Sequence, residues 1–281
     1  MIARPPRAPQ RSATRRSIKR RHDRRIGVPL ILVALSLLGG LVGAYVAVTR
    51  NHVRLDPETN CPVQGPSAIT AILFDRTDPI NDKQKLFLQN KLDLLRTSTQ
   101  KFEEVGTYAL ENQGSDVIKP LQQLCDPGKG EDLNPITGNS AMARERWEKQ
   151  FDTPLRLMME EMRQGGGAKT SAIFEAVQSV SLQSFQRPNV AEAPKKLVLV
   201  SDLLQFTKTM NQYKGALNYQ VFRNTNEALR LRTNFAGVAI EIFFIPRTTQ
   251  ERIPALINFW TDWFIDQGVQ QARFKIVSVE G

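Results

Sequence analysis

The hydrophobic positions fall into three kinds of run. Residues 26–48 (IGVPLILVALSLLGGLVGAYVAV) are apolar throughout and carry no charge. At about 1.5 Å per residue, a helix of that length crosses a hydrocarbon core roughly 30 Å thick. Short apolar runs bounded by polar residues follow: Ala68–Phe74, Val105–Leu110, Lys196–Ser201, Gly237–Ile245 and Phe274–Val279. Runs of this length, rich in branched residues, predict strands, the first of them buried on both faces and Lys196–Ser201 likewise buried. Between them, apolar residues recur at helical spacing. The pattern predicts helices from Asn81 or Asp82 to about Gln100, from Ser140 to Met162 with a kink at Pro154, over Ser171–Phe185, and over Thr249–Gln267. Trp260 and Trp263, three residues apart, read as a core-facing stripe.

Other segments are less regular. Asp116–Asp126 reads as a short helix or an extended piece, and residues 127–139 as loop. Gly165-Gly166-Gly167 breaks the preceding helix. Residues 203–235 are polar and read as loop plus one helix. Strands alternating with helices define an α/β fold: a doubly wound, mostly parallel sheet flanked by helices, preceded by one transmembrane helix. The expected organisation is a basic tail (1–25), the apolar helix (26–48), an extended linker (49–66) and one α/β domain (67–281).

Charge changes this picture at one end only. Of 38 Lys and Arg, ten lie in residues 1–25 beside a single acid, Asp23. The remainder is nearly neutral, so no nucleic-acid partner is expected for the main domain. Residues 11–25 hold eight basic residues and residues 49–63 hold two, Arg50 and Arg54. The positive-inside rule then places the N-terminus in the cytoplasm and the domain outside. The expectation is a single-pass protein of a bacterial inner membrane, anchored through residues 26–48, with a periplasmic domain. An uncleaved anchor is favoured over a signal peptide, because the apolar run exceeds the usual 7–15 residues. The two cysteines, Cys61 and Cys125, fit one disulfide in such a compartment, with two separate buried thiols as the alternative. His22 and His52 lie outside the domain, which excludes a histidine-based catalytic centre within it.

Candidate chemistry sits where strands end. Asp75 closes Ile72-Leu73-Phe74-Asp75, and Asp202 closes Leu199-Val200-Ser201-Asp202. In open parallel sheets ligands bind beyond the carboxyl ends of strands, and carboxylates with hydroxyls suit a hard divalent cation. Gly165 to Thr170 lacks the glycine spacing of a phosphate-binding loop. Glu103-Glu104 and Glu160-Glu161 are adjacent and read as surface acids.

The combination resembles a von Willebrand factor A (VWA) domain over residues 68–279. Asp75-Arg76-Thr77-Asp78-Pro79 is similar to the D-x-S-x-S element of that family's metal-ion-dependent adhesion site, with Thr77 in place of the first serine and Pro79 in place of the second. Gly167 to Ala176 resembles the G-T-N-L-Y-x-A segment, with Ser171 aligned to its threonine and Thr170 one residue away. Val200-Ser201-Asp202 resembles the L-S-D-G element, with Leu203 replacing glycine. The resemblance implies a site of Asp75, Thr77, Ser171 and Asp202 for Mg2+ or another divalent cation. It implies no catalysis, and a partner protein that offers an acidic side chain to the ion. Arg76, Lys169 and Gln205 are expected around it as solvated surface or as a source of selectivity. The alternatives are a metal-dependent hydrolase on the same sheet, or a structural subunit of an envelope assembly with an inactive metal site.

Overall fold

The computed structural model describes residues 29–43, 45–46, 53–111, 117–131 and 138–280. The basic tail 1–25 and parts of the apolar segment lie outside the described residues. The chain divides into two compact units, Met1–Val53 and Arg54–Gly281. In the first, residues 29–43 and 45–46 are helical and exposed. Among the described residues no helix is long and apolar enough to cross a membrane.

The second unit is a six-stranded mixed sheet flanked by helices. Its strands are β1 (Ala68–Asp75), β2 (Glu103–Leu110), β3 (Gln122–Cys125), β4 (Lys195–Ser201), β5 (Val238–Phe244) and β6 (Phe274–Ser278), in spatial order β3-β2-β1-β4-β5-β6. All neighbours are parallel except β3, which runs antiparallel to β2. The five strands expected from the sequence are present. The sixth, β3, lies in the segment left open as helix or extended chain. It is four residues long and its pairing comes from β2, a long-range contact that no local pattern announces.

The central strand β1 shows why the apolar runs are continuous. Ile69, Ala71 and Leu73 face one layer, and Ile72 and Phe74 the other, all buried. The first layer packs under α4 (Ile173–Val180) and α7 (Ile253–Asp266), where Trp260 and Trp263 are buried with Phe174 between them. The second packs under α1 (Asp82–Ser98), α2 (Ser140–Trp147) and α3 (Thr153–Met162). Asn81 caps α1. Its side chain accepts from the Gln84 N–H, and the Gln84 side chain accepts from the Asn81 N–H.

The kink expected at Pro154 takes the form of a π-helical turn, Glu148–Asp152, between α2 and α3. Proline brings no N–H, so the preceding turn widens instead of continuing the ladder. Residues 203–235 form a loop with two short helices rather than one, α5 (Tyr219–Phe222) and α6 (Asn226–Arg230), capped by Asn218 and Thr225.

Residues 55–66 fold back as part of this unit. Leu55 bridges Pro62, and the Asp56 carboxylate accepts from the N–H groups of Glu58 and Thr59. The Cys125 N–H donates to the Thr59 carbonyl, and Cys61 and Cys125 form a disulfide. Cys125 pairs with Glu104 near the start of β2. The staple therefore sits at the end of β2 opposite Leu110, which pairs with Asp75.

Candidate functional site

The strand order reverses direction between β1 and β4, and the carboxyl ends of these two strands flank the crevice. Phe74 pairs with Val200, which places Ser201 and Asp202 beside Asp75. Hydroxyls from three segments converge on the Asp75 carboxylate. Thr77 Oγ1 donates to Oδ1 at 2.6 Å. Ser201 Oγ donates to Oδ2 at 2.9 Å, and Ser171 Oγ approaches Oδ2 at 3.4 Å. Thr77, Ser171 and Asp202 are each 4% exposed. The structure thus gathers all four residues singled out by sequence. Ser201 is a fifth, which the sequence reading does not single out; it stands directly before Asp202 at the end of an apolar run.

The loops that carry these residues are tied to each other. Gly167 and Ala168 donate their N–H groups to the Thr77 carbonyl. Gly167 has φ 89°, a conformation that favours glycine. Ser171 and Phe206 exchange backbone hydrogen bonds, both 2.8 Å. Gln205 is buried rather than solvated; its side chain accepts from the Phe174 N–H and donates to Glu175. Arg76 is equally committed. It donates to the Gln164 carbonyl through Nε and pairs with Glu111 at 2.7 Å. It buttresses the glycine loop instead of facing a ligand.

Leu203, where the resembled element has glycine, adopts φ 61°. A β-carbon in that region costs about 1–2 kcal/mol. The side chain is fully buried, which offsets the strain, and the Trp260 indole donates to the Leu203 carbonyl at 2.7 Å. Trp260→Phe leaves that carbonyl without its partner. We expect a loss of about 2 kcal/mol in urea unfolding, with a larger effect on the loop that carries Asp202 than on the sheet, read by amide hydrogen exchange.

Two further groups close the outer side. The Tyr213 hydroxyl lies 3.2 Å from Asp78 Oδ2 and 3.3 Å from Asp202 Oδ2, its single proton shared between the two carboxylates. Asp202 also accepts from the Leu204 N–H. A cavity of about 410 Å³ opens beside this cluster, lined in part by Thr77, Asp78, Ser171, Phe206 and Tyr213. Tyr213 carries no signal in the sequence, because it reaches the site from a polar loop without periodicity.

Electrostatics set what the cluster can hold. Burial pushes the Asp75 carboxyl above its ordinary range, against the pull of the Thr77 and Ser201 hydrogen bonds. Asp202 is pushed up to about 7, by burial first and then by the charge of Asp75. The Leu204 N–H opposes that rise, Asp78 adds to it, and Arg247 opposes it. Burial, with Asp202 and Asp78 nearby, also raises the Tyr213 phenol. Two buried acids that resist joint ionisation, with hydroxyl oxygens around them, form an all-oxygen donor set. That set fits Mg2+ or a similar hard cation.

Cys61, Glu104 and Cys125 also bring potential ligand atoms within 4.8 Å of one another. The two sulfurs are bonded to each other and carry no thiolate charge. Glu104 is engaged by Arg187 at 2.6 Å. That cluster reads as a structural staple and not as a metal centre.

No protein-family model matches the chain, and no curated protein matches it. Solved structures resemble it in part. The ArnB paralog VWA2 from Sulfolobus acidocaldarius is 13% identical, with a TM-score of 0.41 over 75% of this chain and 41% of that one. A von Willebrand factor type A protein from Catenulispora acidiphila is 9% identical, with a TM-score of 0.43 over 77% of this chain and 39% of that one. An aerotolerance-related membrane protein from Bacteroides fragilis is 12% identical, with a TM-score of 0.29 over 63% and 67%. The chain spans about two fifths of the length of the first two. At these scores the likenesses carry no argument about function.

Proposed function

We propose that the chain is a membrane-anchored, VWA-like protein-binding module whose Asp75, Thr77, Ser171 and Asp202 hold a divalent cation. The observation that carries this reading is the convergence of Thr77, Ser171 and Ser201 hydroxyls on Asp75, with Asp202 on the adjoining strand end. Three separate segments supply that arrangement at the topological switch point, where α/β sheets place their ligands. The strand order β3-β2-β1-β4-β5-β6 with an antiparallel β3 agrees with the resemblance read from the motifs.

The chain's own residues would bind and orient the ion: Asp75 and Asp202 by charge, Thr77 and Ser171 by hydroxyl oxygens. A bound cation would supply positive charge opposite Asp75 and Asp202 and Lewis acidity towards an oxygen of a partner. No histidine stands among the site residues, and Asp75 and Asp202, the acids of the proposed site, are assigned to the cation, which favours recognition over turnover. The apolar, uncharged run 26–48 with its basic flank supports an anchor in a bacterial inner membrane, N-terminus cytoplasmic and domain periplasmic. The disulfide fits an oxidising compartment. The staple that joins residues 55–66 to β3 lies at the opposite strand ends from the site, which leaves the crevice clear of the chain's entry into the domain.

The test is capture from a membrane extract with the immobilised full-length chain. A specific partner retained in Mg2+, released by chelator and lost with Asp75→Ala is the expected result. A partner held equally by Asp75→Ala would show that recognition uses another surface. Sustained metal-dependent phosphoester hydrolysis by the chain would replace the reading with an enzymatic one.

A further inference from the structure

The resembled D-x-S-x-S element has a hydroxyl at its fifth position, and this chain has Pro79 there. Pro79 cannot serve as a side-chain ligand. It is exposed, and its carbonyl accepts from Arg247. The residue just before it, Asp78, lines the same cavity as Thr77 and Ser171. One phenol, Tyr213, reaches both Asp78 and Asp202.

Tyr213 is firmly placed to do this. The Tyr213 N–H donates to the Asn211 side chain, and its ring meets Phe206 edge to face with centroids 5.9 Å apart. The side chain of the neighbouring Gln212 accepts from the Gln205 N–H. Arg252 grips the carbonyls of Gln212 and Gly215, both at 2.9 Å. The loop is thus anchored on either side of Tyr213, and its hydroxyl spans two carboxylates that would otherwise repel.

Resting on the reading of Asp75 and Asp202 as a cation site, we infer that Asp78 is the ligand that replaces the hydroxyl lost at position 79, held in place by Tyr213 as a positioning residue. The site then carries three carboxylates, Asp75, Asp78 and Asp202. Charge count tunes cation affinity in oxygen-ligand sites, and partners that orient a ligand are worth 10–100-fold in affinity. A third acid also overcompensates a divalent charge, which weakens the pull on an acidic partner side chain and favours a neutral oxygen donor from the partner.

The experiment is calorimetric titration of the full-length chain in detergent with Mn2+. Asp78→Asn and Tyr213→Phe are each expected to weaken binding about tenfold or more. Asp82→Asn, an exposed acid at the start of α1, controls for general loss of charge and should change binding less than about twofold, in line with a screened surface position. The decisive arm is rescue. Pro79→Ser restores the hydroxyl, so Asp78→Asn/Pro79→Ser and Tyr213→Phe/Pro79→Ser should both recover most of the lost affinity, which a merely misfolded loop would not. Binding by Asp78→Asn and Tyr213→Phe equal to wild type overturns the inference while leaving the Asp75–Asp202 site standing. Equal weakening by Asp82→Asn overturns it as well. Absence of Mn2+ binding by the folded wild type overturns both the inference and the site it rests on.

Discussion

Asp202→Asn stabilises the metal-free protein at pH 8 and has little effect at pH 4. The sign follows from linkage. Asp202 has a folded value of about 7 against an ordinary 3.8, because burial and the Asp75 charge disfavour its anion. Between those values the folded chain holds a proton that the unfolded chain has released. Stability from this group is therefore fully present below about pH 4, falls as pH rises towards 7, and stays low above it. A difference of about three pKa units corresponds to roughly 4 kcal/mol, shared with Asp75 because the two carboxylates interact. Removing the charge removes that penalty. Thermal unfolding of wild type and Asp202→Asn from pH 4 to pH 8, in chelator, reads it directly. Magnesium should act in the opposite sense on the two proteins' difference: it raises the wild-type midpoint at pH 8 by neutralising the acids and leaves Asp202→Asn almost unmoved. A wild-type midpoint that rises steadily from pH 4 to pH 8 without metal would contradict this account of the site.

The second large effect comes from the staple. Cys61 and Cys125 close a loop with a sequence separation of 64 residues. Loop-closure entropy puts the stabilisation from such a cross-link at about 4 kcal/mol. Cys61→Ser/Cys125→Ser should lower the free energy of unfolding by about that amount in guanidinium titration. The loss should appear first as protection lost from residues 55–66 and β3, since β3 is a four-residue edge strand and the Thr59–Cys125 hydrogen bond lies beside the staple. Divalent cation binding should survive, because the disulfide and Asp75 lie at opposite ends of the strands. Loss of protection at the Asp75 end as well would show that the two ends of the sheet unfold together.

The legible parts of this protein are those in which a local pattern and the tertiary environment agree. β1, β2, β4 and β5 read as apolar runs because helices cover both faces of the sheet there, while β6 is a partly exposed edge strand whose apolar residues are Phe274, Ile276 and Val277. Asp75 and Asp202 stand out because an acid directly after such a run marks a strand end, and the resemblance of the surrounding motifs brings in Thr77 and Ser171. β3 escaped because its order comes from pairing with β2 and from Cys61. The role of Gln205 escaped because a glutamine in a polar loop looks solvated, whereas here it bonds Phe174 and Glu175 in the interior. Tyr213 escaped for the same reason: its function is set by the path of an irregular loop. Leu203 shows the reverse case. A departure from the resembled glycine reads as a defect, yet the structure absorbs it by burying the side chain and holding its carbonyl with Trp260.

The proposed function stands or falls on Asp75 and Asp202 forming one cation site. Its most direct test is calorimetric titration of the full-length chain with Mg2+ at pH 8, beside Asp75→Ala and Asp202→Ala. A single site in the wild type and no measurable binding in either variant, with all three proteins folded, is the expected result. A folded wild type that binds no Mg2+, or an Asp75→Ala protein that binds as the wild type does, would contradict it.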